Sequence, residues 1–321
     1  MNKLIINSKH NFVVGNMKIL VTGAKGFLGK YAVKELQSAG HSIEEFDLES
    51  GNNILDAAQV ENACRGKDAV VHLAAGLDEA LPYKKLHEIN VKGTENALEA
   101  CAKCNVKRLV FASTAGVMGN ISGEADESFP YAPETNYEKT KAEAERLVLG
   151  YQELFPVTIL RFALLYGANG YWKQIIKLIK KGFPITGSGK NKFQLLYVKD
   201  AASAIKFVLG NENAENENYI VAEERAGTLE EVYGEIANLL NVEIPKKHLP
   251  VWRAKLLAHM LLVKAKMQGK KTIIMPAHID RLVRERAYNT GKINKLGWHA
   301  KYALHEGMKE TIGELKEKGE I

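Results

Sequence analysis

The chain has little of what marks secreted, membrane-spanning or nucleic-acid-binding proteins. Its three cysteines are too few and too uneven for a disulfide framework, and they suit a reducing cytoplasm. No apolar run is long enough to span a bilayer. The net charge of +6 is a small excess for 321 residues and does not indicate nucleic-acid binding. A hydrophobic content of 46% argues against disorder, so we expect a globular protein with a sizeable core.

Metal ligands are also scarce. Cys101 and Cys104 lie three residues apart on a predicted helix. A zinc site would need two more ligands at suitable spacing, and the sequence offers none. We therefore predict that the protein binds no metal.

The first residues carry no regular pattern. Their longest apolar run, Leu4-Ile5-Ile6, is too short for the core of a signal peptide. Because the regular pattern begins at Met17, we expect residues 1–16 to form a loose extension.

Apolar strand-like runs alternate with helical patterns over the first two thirds of the chain. Strands are predicted at 18–22, 42–47, 69–74, 108–112 and 157–161, and helices at 27–39, 83–104 and 134–154. Apolar strands separated by helices are typical of a parallel sheet that is covered on both faces. Right-handed crossovers then give an α/β fold with a doubly wound parallel sheet of the Rossmann type.

The alternation loosens after Gly167, which predicts a smaller, mainly helical C-terminal region that binds the substrate. A strand is predicted at 193–198 and a helix at 200–209, and a capping box of Thr228 and Glu231 starts another helix. The predicted division is 17–167 for the domain built on the parallel sheet, with 193–222 returning to it, and 168–192 plus 223–321 for the substrate-binding region.

A glycine-rich turn joins the first strand to the first helix. Small residues there let the backbone approach a pyrophosphate, and free N–H groups at the helix start point at it. A simple tight turn would also use glycine, but the position between strand and helix favours a dinucleotide site. The predicted cofactor contacts on this turn are Gly23, Lys25, Gly26, Phe27, Leu28 and Gly29.

Asp47 ends the second predicted strand, eighteen residues after Gly29. An acidic side chain at this place accepts hydrogen bonds from both ribose hydroxyls and repels a 2′-phosphate. Asp47 therefore favours NAD over NADP as the cofactor.

A tyrosine and a lysine follow on a predicted helix. Tyr137 and Lys141 are four residues apart, so they share one helical face. A free tyrosine has a pKa of about 10, and a nearby ammonium group favours its phenolate. Tyr137 can then exchange the proton of an alcohol while a hydride moves to or from the cofactor. Ser113 and Thr114, at the end of a strand, offer hydroxyls that can bind the substrate oxygen.

Taken together, these motifs resemble the extended short-chain dehydrogenase/reductase family, also called the NAD-dependent epimerase/dehydratase family. The resemblance covers residues 17–200, with a weaker match at 292–298. The motifs that carry it are Gly23 to Gly29, His72-Leu73-Ala74-Ala75, Asn90 to Thr94, Ser113-Thr114, Tyr137 with Lys141, Leu160-Arg161 and Tyr197 to Asp200.

The resemblance implies a role for each matching residue. Thr114 matches the catalytic Ser/Thr, Tyr137 the acid/base and Lys141 its electrostatic helper, which also holds the nicotinamide ribose. Asn53 and Ile54 match positions that flank the adenine. The other cofactor positions that it implies are Leu73, Ala74, Ala75, Asn90 and Ser113. His72 is interpreted as a polar residue satisfied inside the sheet. Many relatives form dimers, so a homodimer through the predicted helices 83–104 and 134–154 is expected.

Two departures from the family pattern bear on the substrate. Members acting on nucleotide-diphosphate sugars usually carry an Asn shortly after the Leu-Arg strand and an Arg just before the strand ending in Val-x-Asp. Residues 162–167 and 193–196 hold neither, and Met118 is expected to leave one pocket wall apolar. We therefore expect an oxidoreductase that interconverts a secondary alcohol and a ketone, as in the 3β-hydroxysteroid dehydrogenase branch. The alternatives are a nucleotide-sugar epimerase or dehydratase, and a dinucleotide-binding protein without catalysis.

One apolar segment lies late in the chain. Residues 251–267 carry four basic residues and no acidic one, so the segment could lie on a membrane surface or touch a lipid-like substrate. Its basic residues fall on two separate sides of a helix, which leaves no single polar face. The interpretation we adopt is a helix of the substrate-binding region packed on the core.

Overall fold

A six-stranded parallel sheet organises the computed structural model, which describes residues 15–78, 80–245, 247–269 and 276–321. Most of the expected loose extension, residues 1–14, lies outside the described residues. The strands are Lys18–Thr22 (β1), Ser42–Phe46 (β2), Ala69–His72 (β3), Arg108–Thr114 (β4), Val157–Phe162 (β5), Leu164–Tyr166 (β6), Ile185–Thr186 (β7), Leu195–Tyr197 (β8), Glu217–Val221 (β9) and His248–Leu249 (β10). The order in the main sheet is β2-β1-β3-β4-β5-β9, and β6 pairs with β8 and β7 with β10.

Helices cover both faces of the sheet and build the C-terminal region. They are Phe27–Ser38 (α1), Ala57–Cys64 (α2), Tyr83–His87 (α3), Gly93–Lys103 (α4), Asn136–Gly150 (α5), Gly170–Lys180 (α6), Val198–Leu209 (α7), Leu229–Leu240 (α8), Val251–Met267 (α9), Pro276–Val283 (α10), Gly291–Leu296 (α11) and Leu304–Glu317 (α12). The predicted doubly wound α/β fold is confirmed, and so is the capping box of Thr228 and Glu231 at the start of α8.

The strands of the sheet bury both of their faces. In β1, Ile19 and Val21 point into one apolar cluster while Leu20 points into another on the opposite face. This alternation is the two-residue period of a strand, and it explains why the strands are apolar throughout. The chain moves from β1 outward to β2 and then returns past β1 to β3. Ligands bind in the crevice at such a reversal of strand order, beyond the carboxyl ends of the strands.

A separate apolar cluster joins the elements that follow β5, with Trp172 and Ile236 among its buried members. This cluster is the core of the mainly helical C-terminal region. The residue limits predicted for the two domains stay a prediction.

The segment 83–104 differs from the single helix predicted for it. A π-helical turn, Glu88–Lys92, lies between α3 and α4. Gly93 follows it, and a Cβ there would come 2.9 Å from Cγ2 of Ile54. The wide turn brings Asn90 inward toward the sheet edge, and π turns of this kind often lie at functional sites.

Helix α9 has the predicted limits and packs on the core of the C-terminal region, as predicted, but its large apolar residues face outward. Ala254 and Ala258 are its buried apolar residues, because the side that meets the protein carries small side chains. Its exposed large apolar residues are Trp252, Leu256, Leu257, Met260, Leu261, Val263 and Met267. In the described part of the chain, every helix is too short or too polar to cross a membrane.

A buried ion pair fixes α5 against the sheet. Nη2 of Arg161 on β5 lies 2.9 Å from Oε2 of Glu145 on α5, and both side chains are almost fully buried. The hydroxyl of Tyr131 donates to the same carboxylate at 2.7 Å. The pair therefore sets the position of α5 relative to the ends of the strands.

Removing one partner of this pair is expected to destabilise the fold. Glu145→Ala should lower the free energy of unfolding by about 3–5 kcal/mol, because it leaves the Arg161 charge buried and unpaired. The double variant Glu145→Leu/Arg161→Met should recover most of the loss. Urea denaturation followed by circular dichroism measures both, and a loss of under about 1 kcal/mol for Glu145→Ala would contradict the assigned role.

Candidate active site

The glycine-rich turn after β1 lies against the loop that follows β3. Gly23 has φ +72°, and a Cβ there would come 2.7 Å from the backbone nitrogen of Ala74. A Cβ at Gly29 would collide with the carbonyl oxygen of Gly23. Only glycine fits these two positions, so the turn brings α1 and the Leu73 to Ala75 loop close together at the crevice.

The start of helix α1 is open to a ligand. Its N-cap residue, Gly26, makes no side-chain cap hydrogen bond. The first N–H groups of a helix have no partner inside the helix, and the helix dipole favours negative charge there. Phe27 and Leu28 begin the helix and pack their side chains on apolar clusters, so the turn offers its backbone to a pyrophosphate.

Asp47 is held beside this turn. Its carboxylate accepts hydrogen bonds from the backbone nitrogens of Lys25 and Glu49, each at 3.0 Å. The ammonium of Lys25 pairs with Glu45, which lies one residue before the end of β2. Asp47 thus stands where the sequence places the ribose of the adenosine, with lone pairs left for its hydroxyls.

The predicted adenine positions are partly engaged within the protein. The side-chain oxygen of Asn53 accepts from the backbone nitrogen of Leu55 at 3.0 Å. Ile54 is buried, and its carbonyl accepts from Asn96 at 3.0 Å. Their assignment to the adenine site stays a prediction.

Asn90 links α5 to the loop after β3 through hydrogen bonds. Its amide nitrogen donates to the Gly76 carbonyl at 3.1 Å and to the Thr140 hydroxyl at 2.9 Å, and its oxygen accepts from the Gly76 nitrogen at 2.6 Å. Because most of its hydrogen-bonding capacity is used in this way, Asn90 shapes the loop that includes Ala75. A direct contact with the cofactor stays a prediction.

His72 is buried at the end of β3, and both ring nitrogens have partners. Nδ1 lies 2.7 Å from the Thr22 hydroxyl and Nε2 lies 3.0 Å from the Thr94 hydroxyl. Burial, with the charge of Lys141 as a lesser cause, lowers the pKa of His72 to about 3. The interpretation of His72 as a satisfied polar residue inside the sheet is confirmed.

Lys141 is buried under the sheet edge, with Nζ 3.9 Å from the centre of the Phe111 ring. Burial lowers its pKa to about 7, and the charge of Glu145 opposes this shift. The cation is only partly populated near neutral pH unless a negative group arrives beside it.

Tyr137 stands one turn before Lys141, half-buried in the first turn of α5. A capping box of Thr135 and Glu138 holds this turn in place. Tyr137 and Lys141 are four residues apart on one helix, so they share the face that Lys141 turns toward Phe111.

The carboxyl end of β4 supplies two hydroxyls. Thr114 accepts from the Gly116 nitrogen at 3.1 Å, which leaves its hydroxyl proton free to donate to a ligand. The Ser113 hydroxyl is buried and has no hydrogen-bond partner in the described residues. An orphaned hydroxyl at this edge fits a polar ligand above the strand.

Met118 is wholly buried in the core, so the expectation that it forms a pocket wall is wrong.

Two arginines from a distant part of the chain lie near this site, and sequence reasoning missed both. Arg284 donates to Glu138 at 2.8 Å and also pairs with Glu134, which ties its segment to the start of α5. Arg286 lies next to the strand that lacks the expected arginine, since its carbonyl accepts from the Gln194 nitrogen at 3.0 Å. No local motif surrounds either residue, so only the fold could have revealed them.

The Arg286 guanidinium is buried, and its carbon lies 5.3 Å from the centre of the Phe193 ring. One nitrogen donates to the Arg281 carbonyl at 3.0 Å. Within the described residues it has no carboxylate partner, and burial lowers its pKa. A buried cation without a counter-charge is a candidate anion site.

Comparison with known proteins identifies the family. The model of the NAD dependent epimerase/dehydratase family matches residues 19–222. The chain is 28% identical, over 92% of its length and 95% of the relative, to N-acetyl-alpha-D-glucosaminyl-diphospho-ditrans,octacis-undecaprenol 4-epimerase of Escherichia coli O157:H7. It is 26% identical to the UDP-glucose 4-epimerase of Vibrio cholerae, over 91% of this chain and 94% of that one.

A solved structure agrees with these relatives. The dTDP-glucose 4,6-dehydratase of Bacillus anthracis in complex with NAD superposes with a TM-score of 0.74 at 26% identity, over 95% of this chain and 98% of that one. The chain belongs to the NAD-dependent epimerase/dehydratase family, and the resemblance stated from its motifs is confirmed. It is an enzyme of the extended short-chain dehydrogenase type. The open helix start, Asp47 and the orphaned Ser113 hydroxyl fit NAD as its cofactor.

The buried lysine predicts a pH-dependent stability in the cofactor-free protein. The folded state releases the Lys141 proton from about pH 7, whereas the unfolded state keeps it up to the ordinary pKa of 10.5. The unfolded state therefore binds more protons in this window, and stability rises with pH through it. Wild type should gain roughly 3 kcal/mol relative to Lys141→Met between about pH 7 and pH 9.5. Urea denaturation of both proteins across this range measures the gain, and parallel curves would contradict the burial assigned to Lys141.

Proposed function

We propose that this enzyme is an NAD-dependent epimerase that inverts a secondary alcohol carbon of a sugar carried on a diphosphate. The observation that carries the proposal is the buried Arg286, which has no carboxylate partner among the described residues and whose segment is tied to the start of the Tyr137 helix through Arg284. The family supports NAD as the cofactor, and two relatives over nearly the whole chain are named as 4-epimerases of diphosphate-linked sugars.

Each residue has a task in such a reaction. Tyr137 takes the proton of the alcohol as the carbon is oxidised, and returns it when the ketone is reduced on its other face. A charged Lys141 one turn away stabilises the phenolate, and the arriving phenolate in turn favours the charged lysine. Thr114 donates its hydroxyl proton to the substrate oxygen. NAD, when bound, would supply reversible acceptance of a hydride at the substrate carbon.

Arg286 would hold the diphosphate. A guanidinium offers two parallel N–H donors that match a phosphate, and burial strengthens this contact. The arginine missing from residues 193–196 is thus replaced by one from the neighbouring segment. The carrier beyond the diphosphate is a nucleoside or a polyprenol, and both occur among the relatives' named substrates.

Net oxidation of an alcohol or reduction of a ketone is a second candidate. Ala163 and Leu164 occupy the place after Leu160-Arg161 where sugar-nucleotide enzymes usually carry an Asn, which favours a less polar substrate. Both candidates share the Tyr137 chemistry and differ in whether the hydride returns to the same molecule.

Product analysis separates the two candidates. The purified enzyme is incubated with UDP-glucose, UDP-N-acetylglucosamine and N-acetylglucosaminyl-diphospho-undecaprenol, without added NADH. Inverted sugar without net NADH formation supports the epimerase. No inversion of any sugar, together with stoichiometric NADH from free secondary alcohols, would overturn it in favour of the second candidate.

Loss of the phenol should stop the chemistry. Tyr137→Phe is expected to lower kcat by about 10²- to 10⁴-fold while NAD affinity stays within about twofold, because the ring is kept and only the proton carrier is lost. Tyr83→Phe, which removes a hydroxyl at the surface, is the control and should leave kcat unchanged. Full activity of Tyr137→Phe would show that another group carries the proton.

Loss of the buried guanidinium should weaken substrate binding. Arg286→Met is expected to raise KM for a diphosphate-linked sugar about 10- to 100-fold with little change in kcat, and Arg286→Lys should restore part of the loss. Arg225→Met, at an exposed site, is the matched control. An unchanged KM in a folded Arg286→Met protein would remove the diphosphate from the proposal.

A further inference from the structure

Helix α9 carries a continuous apolar stripe on its outer side. Trp252, Leu256, Met260, Val263 and Met267 are 62%, 54%, 59%, 44% and 83% exposed. Their spacings of four, four, three and four residues keep them within a sector of about 80° on the helix. Exposed apolar surface of this extent marks an interaction site in a protein that is otherwise well packed.

The opposite side of α9 seats the helix on the protein. Ala254 and Ala258 are buried there. Lys255 lies on the helix between the stripe and these two alanines, and its ammonium pairs with Asp280 of α10 at 2.6 Å. The outward direction of the stripe therefore follows from the packing of the small alanine face.

Positive charge borders the stripe. Arg253 and Lys264 are exposed on one edge of it and His259 on the other, and α9 contains no acidic residue. The Arg253 guanidinium lies 5.0 Å from the Trp252 ring. An apolar face that contains tryptophan and is bordered by cations is typical of helices that lie in the interface of an anionic membrane.

A second copy of the chain fits the stripe less well. If two α9 stripes packed together, Arg253 and Lys264 of one copy would meet the same cations of the other, without an acid from α9 to pair with them. Helix α9 spans 17 residues, about 25 Å, and one face is seated on protein, so it suits lying along a bilayer.

We infer that α9 docks the enzyme on a membrane surface that contains anionic phospholipid, with the apolar stripe inserted between the headgroups and its basic border against the phosphates. This docking rests on the surface of α9 and not on the proposed reaction. It agrees with a polyprenol, one of the two carriers proposed above, because a polyprenol-carried substrate presents its diphosphate sugar at the bilayer surface.

Tryptophan fluorescence reports the docking directly. Trp172 and Trp298 are buried, which leaves Trp252 as the exposed tryptophan of the three. On addition of vesicles of phosphatidylcholine with about one third phosphatidylglycerol, the full chain should float with the vesicles. Its emission should shift to shorter wavelength. Vesicles of phosphatidylcholine alone, or high salt, should weaken flotation by about tenfold or more.

Variants separate insertion from other kinds of binding. Met260→Glu should lower vesicle affinity by about tenfold or more, since it places a charge in the middle of the stripe. Leu154→Glu places a glutamate at an exposed leucine outside α9 and should leave the vesicle affinity unchanged. NAD affinity and circular dichroism should match wild type in both variants, so a loss cannot come from misfolding.

Three results would overturn the inference. The first is wild type that stays unbound on anionic vesicles at low salt, and the second is a Met260→Glu variant that binds as tightly as wild type. The third is a wild-type dimer in light scattering that Met260→Glu converts to monomer, without vesicle binding, which would assign the stripe to a second copy. None of these results depends on turnover. If the docking fails, the proposed epimerase reaction still stands, and if the epimerase proposal fails, the docking still stands.

Discussion

The buried polar contacts of helix α5 are the constraint on which the site depends. Glu145 pairs with Arg161 on the sheet, Thr140 bonds Asn90, and Glu138 pairs with Arg284. An unpaired polar group in the interior lowers the stability of the fold more than a paired one does. Helix α5 therefore has one rotation and one depth that satisfy all three contacts. That placement aims the face with Lys141 at the carboxyl ends of the strands, where the glycine-rich turn also opens.

The same burial makes the charge of Lys141 conditional. Its environment holds Phe111 and the neutral His72, and burial lowers its pKa to about 7. A negative charge beside Lys141 would favour its protonated form, and that cation would in turn favour a phenolate at Tyr137. Tyr137 and Lys141, the proposed catalytic pair, would then act as one coupled unit.

Sequence patterns predict the parts of this site that are local. The turn from Gly23 to Gly29, Asp47 and the Tyr137–Lys141 pair each lie within a few residues of a recognisable strand or helix end. Arg286 was missed because backbone pairing with Gln194, more than ninety positions away, brings it there. The burial of Met118 and the outward direction of the α9 stripe also depend on which side of each segment packs against the rest of the protein. An apolar pattern alone does not specify that side.

In the proposed reaction, α5 presents the Tyr137 phenol to the crevice above the glycine-rich turn. A crystal structure with NAD and an unreactive sugar diphosphate tests it most directly. We expect Tyr137 Oη within about 3 Å of the sugar hydroxyl that reacts, with the pyrophosphate of NAD on the start of α1. A Tyr137 side chain turned away from the ligand, or a dinucleotide bound elsewhere, would contradict it.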